Sequence, residues 1–314
     1  TLNIGWSQNI NFGGTGNASG VLDVLDRAAV LNLQLSEVNV GRGALYGAGN
    51  GTLKWNQSEV LTAPNVYFGR GSSTGNLAVP AGGEFLLGSA STPVGNLRIA
   101  YNDAGAGTAI AALDFSQTNP TFTAFIAREL TIGSETGKPF NLSTSANGSL
   151  KLASNASLTL GSVAAPATLN IGWSQNTEFG IGIGSASATG VLDASDGGFA
   201  AFVSNLNVGV TAAFGSSNGR LILGNGTTLH TNIANIGVGP NATGTFDFVD
   251  NFSGSFSATT VNFNNGLFDF GANTLEIGGA GPIVAQTFNM RGGVLTGNAV
   301  DINPGGSFNF SGVF

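Results

Sequence analysis

The sequence predicts an all-β protein folded as a right-handed parallel β-helix, or β-solenoid, of about a dozen coils. Three observations support this prediction: the composition, two short apolar motifs that recur along the chain, and a nonapeptide that occurs twice. Only 9% of the 314 residues are charged, while 50 are Gly and 22 are Phe. Such a composition disfavours helices, which require Ala, Leu, Glu and Lys, and favours strands joined by turns.

Within each of the two motifs, apolar residues occupy every second position, which is typical of strands with one buried face. The first is apolar-x-apolar-Gly, from LNIG at 2–5 to LEIG at 275–278. The second is Gly-x-apolar-x-apolar, from GVLDV at 20–24 to GLFDF at 266–270. The motifs recur at intervals of very roughly 20 to 30 residues. Neither has the Asn-Gly spacing of a hairpin that would fold it back on its neighbour, which favours coiled parallel strands over a meander. Gly then marks corners, and Phe side chains stack in register along the core.

The nonapeptide TLNIGWSQN fills residues 1–9 and returns at 168–176. The motifs that follow the two copies also match at a nearly constant offset. We therefore predict one continuous β-solenoid over 1–314, without a separate catalytic domain, built from a long internal repeat: 1–167 and an incomplete second copy, 168–314. Neither end carries a polar cap, so we expect end-to-end self-association or continuation in a longer chain.

Composition also argues against several classes of protein. The net charge is −7, and the ten Lys and Arg residues are scattered, so no basic surface for nucleic acid is expected. Gly, Asn or Ser interrupts every apolar stretch, so no transmembrane segment is predicted. The absence of Cys removes disulfides and thiolate metal sites. Asn-x-Ser/Thr triplets are frequent, and we attribute most of them to turn composition and not to glycosylation.

Segments such as NVYFGRGSSTGNLAV at 65–79 and ANIGVGPNATGTFDF at 234–248 resemble the β-strand repeats of autotransporter passenger domains and related secreted repeat proteins of bacterial surfaces. The resemblance covers most of the chain and is weakest around 103–128. It implies a right-handed parallel β-helix, secretion and a role outside the cell. It implies no particular ligand and no catalytic residues.

Acidic and imidazole side chains give little sign of a reactive site. His230 is the only His, and we expect it to face solvent from a strand or turn. We therefore predict no cofactor and no metal site, with Ca²⁺ a weak alternative because Asp-x-x-Asp recurs near predicted coil corners. The preferred interpretation of these carboxylates is that they keep the sheet soluble. The weak Ca²⁺ candidates are Asp23, Asp26, Asp193 and Asp196.

Parallel β-helices also include carbohydrate-active enzymes of the polysaccharide lyase and hydrolase types. Those enzymes need clustered carboxylates with an Arg or Lys in one groove. The basic residues of this chain lie far apart in sequence, so we predict that it is not an enzyme and that it has no catalytic residues. A groove with converging carboxylates and an Arg or Lys would favour the enzyme, whereas uniform ladders of Asn, Thr and Ser would favour a structural role.

The longest excursions between the two motifs follow the two nonapeptides, so their last letters, WSQN, open loops that protrude from the rod. A Trp beside Gln and Asn is suited to stack on a sugar ring and to hydrogen-bond its hydroxyls. The preferred interpretation is nevertheless that each Trp packs on the base of its loop. The candidate ligand-binding residues are Trp6, Gln8 and Asn9 with their equivalents Trp173, Gln175 and Asn176.

The expected function is that of a structural or adhesive extracellular protein. It would be a rigid rod or fibre subunit at the cell surface, an adhesin or a filament, with further copies and glycans as its partners. The alternative is a carbohydrate-active β-helix enzyme.

Overall fold

A computed structural model describes residues 1–8, 16–26, 35–104, 106–136, 143–176 and 186–311. Within these ranges the named elements are all strands, and every pairing between them is parallel. In chain order they are β1 Leu2–Trp6, β2 Gly16–Val24, β3 Glu37–Arg42, β4 Gly47–Trp55, β5 Val60–Leu61, β6 Asn65–Arg70, β7 Ser73–Ala78, β8 Glu84–Leu87, β9 Val94–Asn102, β10 Gly107–Asp114, β11 Thr121–Glu135, β12 Thr144–Lys151, β13 Ala156–Leu160, β14 Ala167–Ser174, β15 Ala186–Ala194, β16 Gly198–Thr211, β17 Ser216–Leu223, β18 Thr227–Val238, β19 Ala242–Phe248, β20 Ser255–Phe263, β21 Gly266–Asp269, β22 Thr274–Ile277, β23 Ile283–Met290, β24 Val294–Thr296, β25 Ala299–Ile302 and β26 Ser307–Phe310.

The strands form two long sheets. Face 1 is the ten-stranded sheet, in the order β2-β4-β7-β10-β12-β15-β17-β19-β21-β24. The sixteen-stranded sheet has register shifts near Ile126 and Ala167, and such irregularities bend a strand. Face 2 lies before this bend and contains β5, β8, β13, β22, β25 and the first halves of the long strands. Face 3 lies after it and contains β1, β3, β6, β9, β14, β26 and the second halves.

From β4 onward, each coil of the described chain visits face 1, face 2 and face 3 in turn, and β22 adds an extra face 2 strand beyond the first half of β23. Eleven strands follow one another in the described part of face 3, from β1 to β26. At about 4.8 Å per strand they make a rod about 50 Å long. The predicted parallel β-solenoid of about a dozen coils is therefore confirmed. The sheets also run unbroken past residues 167 and 168, because β14 pairs with β11 on one side and β16 on the other.

Inward-facing apolar side chains fill the rod as one continuous core. Its C-terminal half is packed with Phe. Phe246 and Phe268 pair in register on successive coils, and their rings meet edge to face with centroids 5.2 Å apart. The ring of Phe256, from face 2, meets Phe246 at 5.0 Å. Coil-on-coil register therefore turns a repeated sequence position into a column of rings.

The corner between face 3 and face 1 is where Gly is required. Gly209 has φ +60, and a Cβ there would lie 1.8 Å from the carbonyl oxygen of Thr243. Gly219, in the facing column of face 1, would bring a Cβ to 2.1 Å from the backbone nitrogen of Gly209. The β9–β10 coil differs, because Ala100, with φ 55, stands at the corner and Ala111 in the facing column. This coil borders the segment 103–128, where the family resemblance is weakest.

The first sequence motif contains two structurally different kinds of corner. In most copies its Gly ends a face 3 strand, but Gly88, Gly161 and Gly278 end face 2 strands and begin short insertions at the bend. GNLRI at 95–99 belongs to face 3 and not to the ladder of the second motif, because its Leu97 pairs with Val66 of β6. Across the described ranges the chain forms no helix long and apolar enough to span a bilayer.

Candidate functional site

The outer surface of face 3 carries a ladder of asparagine side chains in its C-terminal half. From Asn207 onward, each Asn donates its Nδ2 to the Oδ1 of the Asn one coil earlier, over distances of 2.8 to 3.0 Å. Asn170, at the start, donates its Nδ2 to Thr131 Oγ1 at 3.1 Å. Within such a chain, an amide donates one hydrogen bond to the previous coil and accepts one from the next coil, which rigidifies the surface. We call it the asparagine ladder: Asn170, Asn207, Asn235, Asn262, Asn289 and Asn309.

Charged and aromatic side chains replace the ladder in the N-terminal coils. In the ladder column itself, Tyr67 and Arg98 pair one coil apart. Arg98 binds the Glu129 carboxylate with two hydrogen bonds, Nε to Oε1 at 3.0 Å and Nη2 to Oε2 at 2.8 Å, and donates a third to the Tyr67 hydroxyl at 2.7 Å. We call the whole group the arginine network: Glu37, Tyr67, Arg70, Arg98, Tyr101, Asp103 and Glu129.

The rest of the arginine network links three coils. Arg70 places Nη1 3.0 Å from Glu37 Oε2 and Nε 2.9 Å from Asp103 Oδ2. Its guanidinium also lies 4.4 Å from the ring centre of Tyr67. Desolvated contacts of this kind between Arg and an aromatic face add to the attraction of the ion pairs. The network therefore ties neighbouring coils together across their outer surface.

The arginine network brings carboxylates and Arg together, as the enzyme alternative requires, so the pKa values of its acids bear on that alternative. Burial raises the pKa of Glu129, but hydrogen bonds from Arg98 and Thr131 and the charges of Arg98 and Arg128 outweigh it, so this pKa lies below its ordinary value. Burial also raises the pKa of Glu37, but the hydrogen bond from Asn39 and the charges of Arg70 and Arg42 outweigh it. The pKa of Glu37 therefore also lies below its ordinary value. A glycosidase acid needs a raised pKa. These carboxylates are instead fixed in the ionised form.

The lowered pKa of Glu129 predicts a loss of stability in acid. A carboxylate with a depressed folded-state pKa stabilises the fold above its unfolded pKa, and the contribution is lost as pH falls through the folded pKa. Between about pH 5 and pH 3 the free energy of unfolding should therefore fall less steeply in Glu129→Gln than in the unchanged protein. Urea denaturation across this range measures it, and Glu59→Gln, outside the network, controls for net charge. Parallel slopes in Glu129→Gln and the unchanged protein would contradict the prediction.

Trp6, the first predicted ligand-binding residue, ends the edge strand β1. Its side chain is 40% exposed, and the Arg42 guanidinium lies 4.9 Å from its ring centre. Gln8 is exposed, and Asn9 lies outside the described residues. An exposed indole with a cation on one side leaves part of its surface open to solvent.

The second nonapeptide has a different environment. Trp173 is half-buried and pairs with Ser134 on one side and Val210 on the other. Gln175 donates Nε2 to Ser134 Oγ at 3.0 Å, and the backbone carbonyl of Asn176 accepts hydrogen bonds at the corner that follows β16. These contacts support packing in the second copy. The two Trp are five coils, about 24 Å, apart, and both loops, 9–15 and 177–185, lie outside the described residues.

The weak Ca²⁺ candidates are engaged with the protein. Asp23 lies 3.0 Å from Lys54 Nζ, and the hydrogen bond from Lys54 lowers its pKa. Asp193 lies 3.5 Å from Lys151 Nζ. The Oδ1 atoms of both Asp residues accept a backbone N–H two residues later, an Asx turn at the end of a face 1 strand. Asp26 and Asp196 are exposed. No group of three or more metal-ligating side chains occurs among the described residues.

The chain matches no protein-family model, no curated protein and no solved structure. The likeness to bacterial surface repeats therefore remains a hypothesis based on motifs.

Proposed function

We propose that the protein is a structural extracellular rod whose copies stack end to end through their terminal coils. The observation that carries this proposal is the exposure of apolar side chains on the last described coil. Val300 and Ile302 pair with Leu275 and Ile277, which are fully buried, yet they are 37% and 60% exposed. Phe310, at the end of β26, is 43% exposed. Val300 and Ile302 lie in core columns, and no described strand pairs with β25 on its other side.

The edge strands at the two ends match in their residue pattern. On β26 the sequence Phe308-Asn309-Phe310 alternates as Leu2-Asn3-Ile4 does on β1. If β1 of a second copy paired with β26, Asn3 would follow Asn309 in the ladder column. Asn3 already accepts a hydrogen bond from Asn39 in this column at 2.8 Å, so the added pair would run in the same direction. A second copy of the chain is therefore the occupant that fits this edge best.

The surfaces between the ends support a structural role over the enzyme. The asparagine ladder and the arginine network use their polar groups to hold coils together, and the carboxylates of Glu37 and Glu129 are held in ion pairs with lowered pKa. The extracellular location rests on the resemblance of the repeats to those of bacterial surface proteins. A long rod whose outer ladder and network side chains are hydrogen-bonded or ion-paired to one another suits a spacer or fibre subunit.

The test is the length of the particles in solution. Negative-stain electron microscopy and sedimentation velocity of the unchanged protein at increasing concentration should show rods in multiples of about 50 Å. The double variant Val300→Lys and Ile302→Lys should give single rods with an unchanged melting temperature, since both side chains are exposed in the isolated rod. Val163→Lys, on a turn at the side of the rod where Val163 is 76% exposed, is the matched control. Single rods at every concentration, or side-by-side association, would overturn the proposal.

A further inference from the structure

A groove runs along the rod at the bend between face 2 and face 3. Its volume is about 450 Å³, within the range of small-molecule sites. Side chains from four successive long strands, β16, β18, β20 and β23, line it, together with the turn 161–166. A ligand lying in the groove parallel to the rod would meet a new set of side chains about every 4.8 Å.

One end of the groove is walled by an insertion. Gly161, with φ +64, ends β13, and the turn 161–166 leaves the rod before β14 begins. Two backbone hydrogen bonds between Ser162 and Ala165, of 3.1 and 3.2 Å, close the turn. In the next coils β16, β18 and β20 pass the bend without an insertion. The wall is therefore formed in advance of any ligand, and the open bend beyond it creates the groove.

An aromatic pair forms the floor beside this wall. Phe202 and His230 pair in register on successive coils, and their rings stack with centroids 5.1 Å apart. His230 Nδ1 shares a hydrogen bond of 2.5 Å with Ser257 Oγ on the next coil, which fixes the orientation of the imidazole. Both rings are only partly buried. Together they present a flat surface suited to the C–H side of a sugar ring.

Amides and hydroxyls surround the aromatic pair. Asn232, Thr259 and Gln286 are exposed at the groove, and Gln286 donates its Nε2 to the carbonyl oxygen of Gly305 at 2.7 Å. Apart from His230, every residue that lines the groove has an uncharged side chain. Ligands rich in hydroxyls match amide and hydroxyl side chains, whereas anionic polymers require Lys or Arg.

We propose that this groove binds a neutral saccharide chain, which stacks on Phe202 and His230 and hydrogen-bonds to Asn232, Thr259 and Gln286. Neither Trp6 nor Trp173 lines the groove. It also does not depend on end-to-end stacking, because a single rod carries the whole groove.

Binding is tested on the full chain by isothermal titration calorimetry with neutral hexasaccharides of β-linked glucose, β-linked N-acetylglucosamine and mannose. A hexasaccharide of galacturonic acid serves as the anionic comparison. At least one neutral probe should bind the unchanged protein. Phe202→Ala should weaken that binding by about tenfold through the lost stacking surface. Phe202→Tyr should retain it. Asn232→Ala, at an exposed position outside the core, should weaken it by about threefold to tenfold.

One control separates this groove from other surfaces. Thr245→Ala, on the outer side of face 1, should leave the affinity unchanged. Circular dichroism of each variant checks that the rod remains folded, and Asn232→Ala keeps the test decisive if Phe202→Ala does not fold. The proposal is overturned if no neutral probe binds at millimolar concentration, if the anionic probe binds instead, or if Asn232→Ala and Phe202→Ala both bind like the unchanged protein.

Discussion

Gly219→Val is expected to destabilise the rod by more than about 4 kcal/mol or to prevent folding. The first added carbon would lie 2.1 Å from the Gly209 nitrogen and 2.2 Å from the Ile171 carbonyl oxygen. Both obstacles are backbone atoms of face 3 strands, so no side chain can move aside to make room. Relief would require face 1 and face 3 to separate, which would break ladder hydrogen bonds in several coils.

Gly198→Val is the matched control for this corner. Gly198 begins β16 at negative φ, and an added Cβ would meet its nearest atom, Ser157 Cβ, at an ordinary 3.6 Å. Val favours strands, so the change in stability should stay within about 1 kcal/mol. Urea denaturation of the two variants side by side measures the difference. Similar midpoints would show that the corner can open and that close approach is not what requires Gly.

The sequence was sufficient to predict the fold because both the strands and the corners repeat. Alternation of apolar residues fixed which side chains face inward, and the Gly at motif ends marked corners that accept little else. The contact of Phe246 with Phe268 in one core column follows from the same periodicity. These features depend on local pattern, which a single sequence displays directly.

The side chains that meet between coils could not be predicted in the same way. Arg98 and Glu129 are 31 residues apart, and only the pairing register of β9 with β11 brings them together. The basic residues are scattered along the sequence and were expected to form no cluster, but among the described residues stacking places six of them in salt bridges with carboxylates. The groove at the bend was missed because LTLG before the turn 161–166 looks like the face 3 motif. Its signal is the six-residue gap before the next strand.

Phe246→Ala is expected to cost about 3 to 5 kcal/mol in the free energy of unfolding. Phe246 is fully buried, and its ring lies 4.9 Å from that of Phe248 and 5.0 Å from that of Phe256, so truncation opens a cavity between face 1 and face 2. Phe246→Leu keeps most of the volume and should cost less than half as much. Val163→Ala, at a 76% exposed side chain, should change stability by no more than about 0.5 kcal/mol.

The loss at Phe246 should also be local, because each coil of a solenoid contacts only its neighbours. Hydrogen exchange in Phe246→Ala should therefore quicken first in β19 to β26, while β3 to β11 keep their protection. A uniform increase along the rod would show that the coils unfold as one cooperative unit. The local result would mean that the C-terminal coils, including the edge proposed to receive a second copy, can be weakened without unfolding the N-terminal coils. End-to-end stacking should then be lost before the rod itself, which electron microscopy of the same variant would show as single rods.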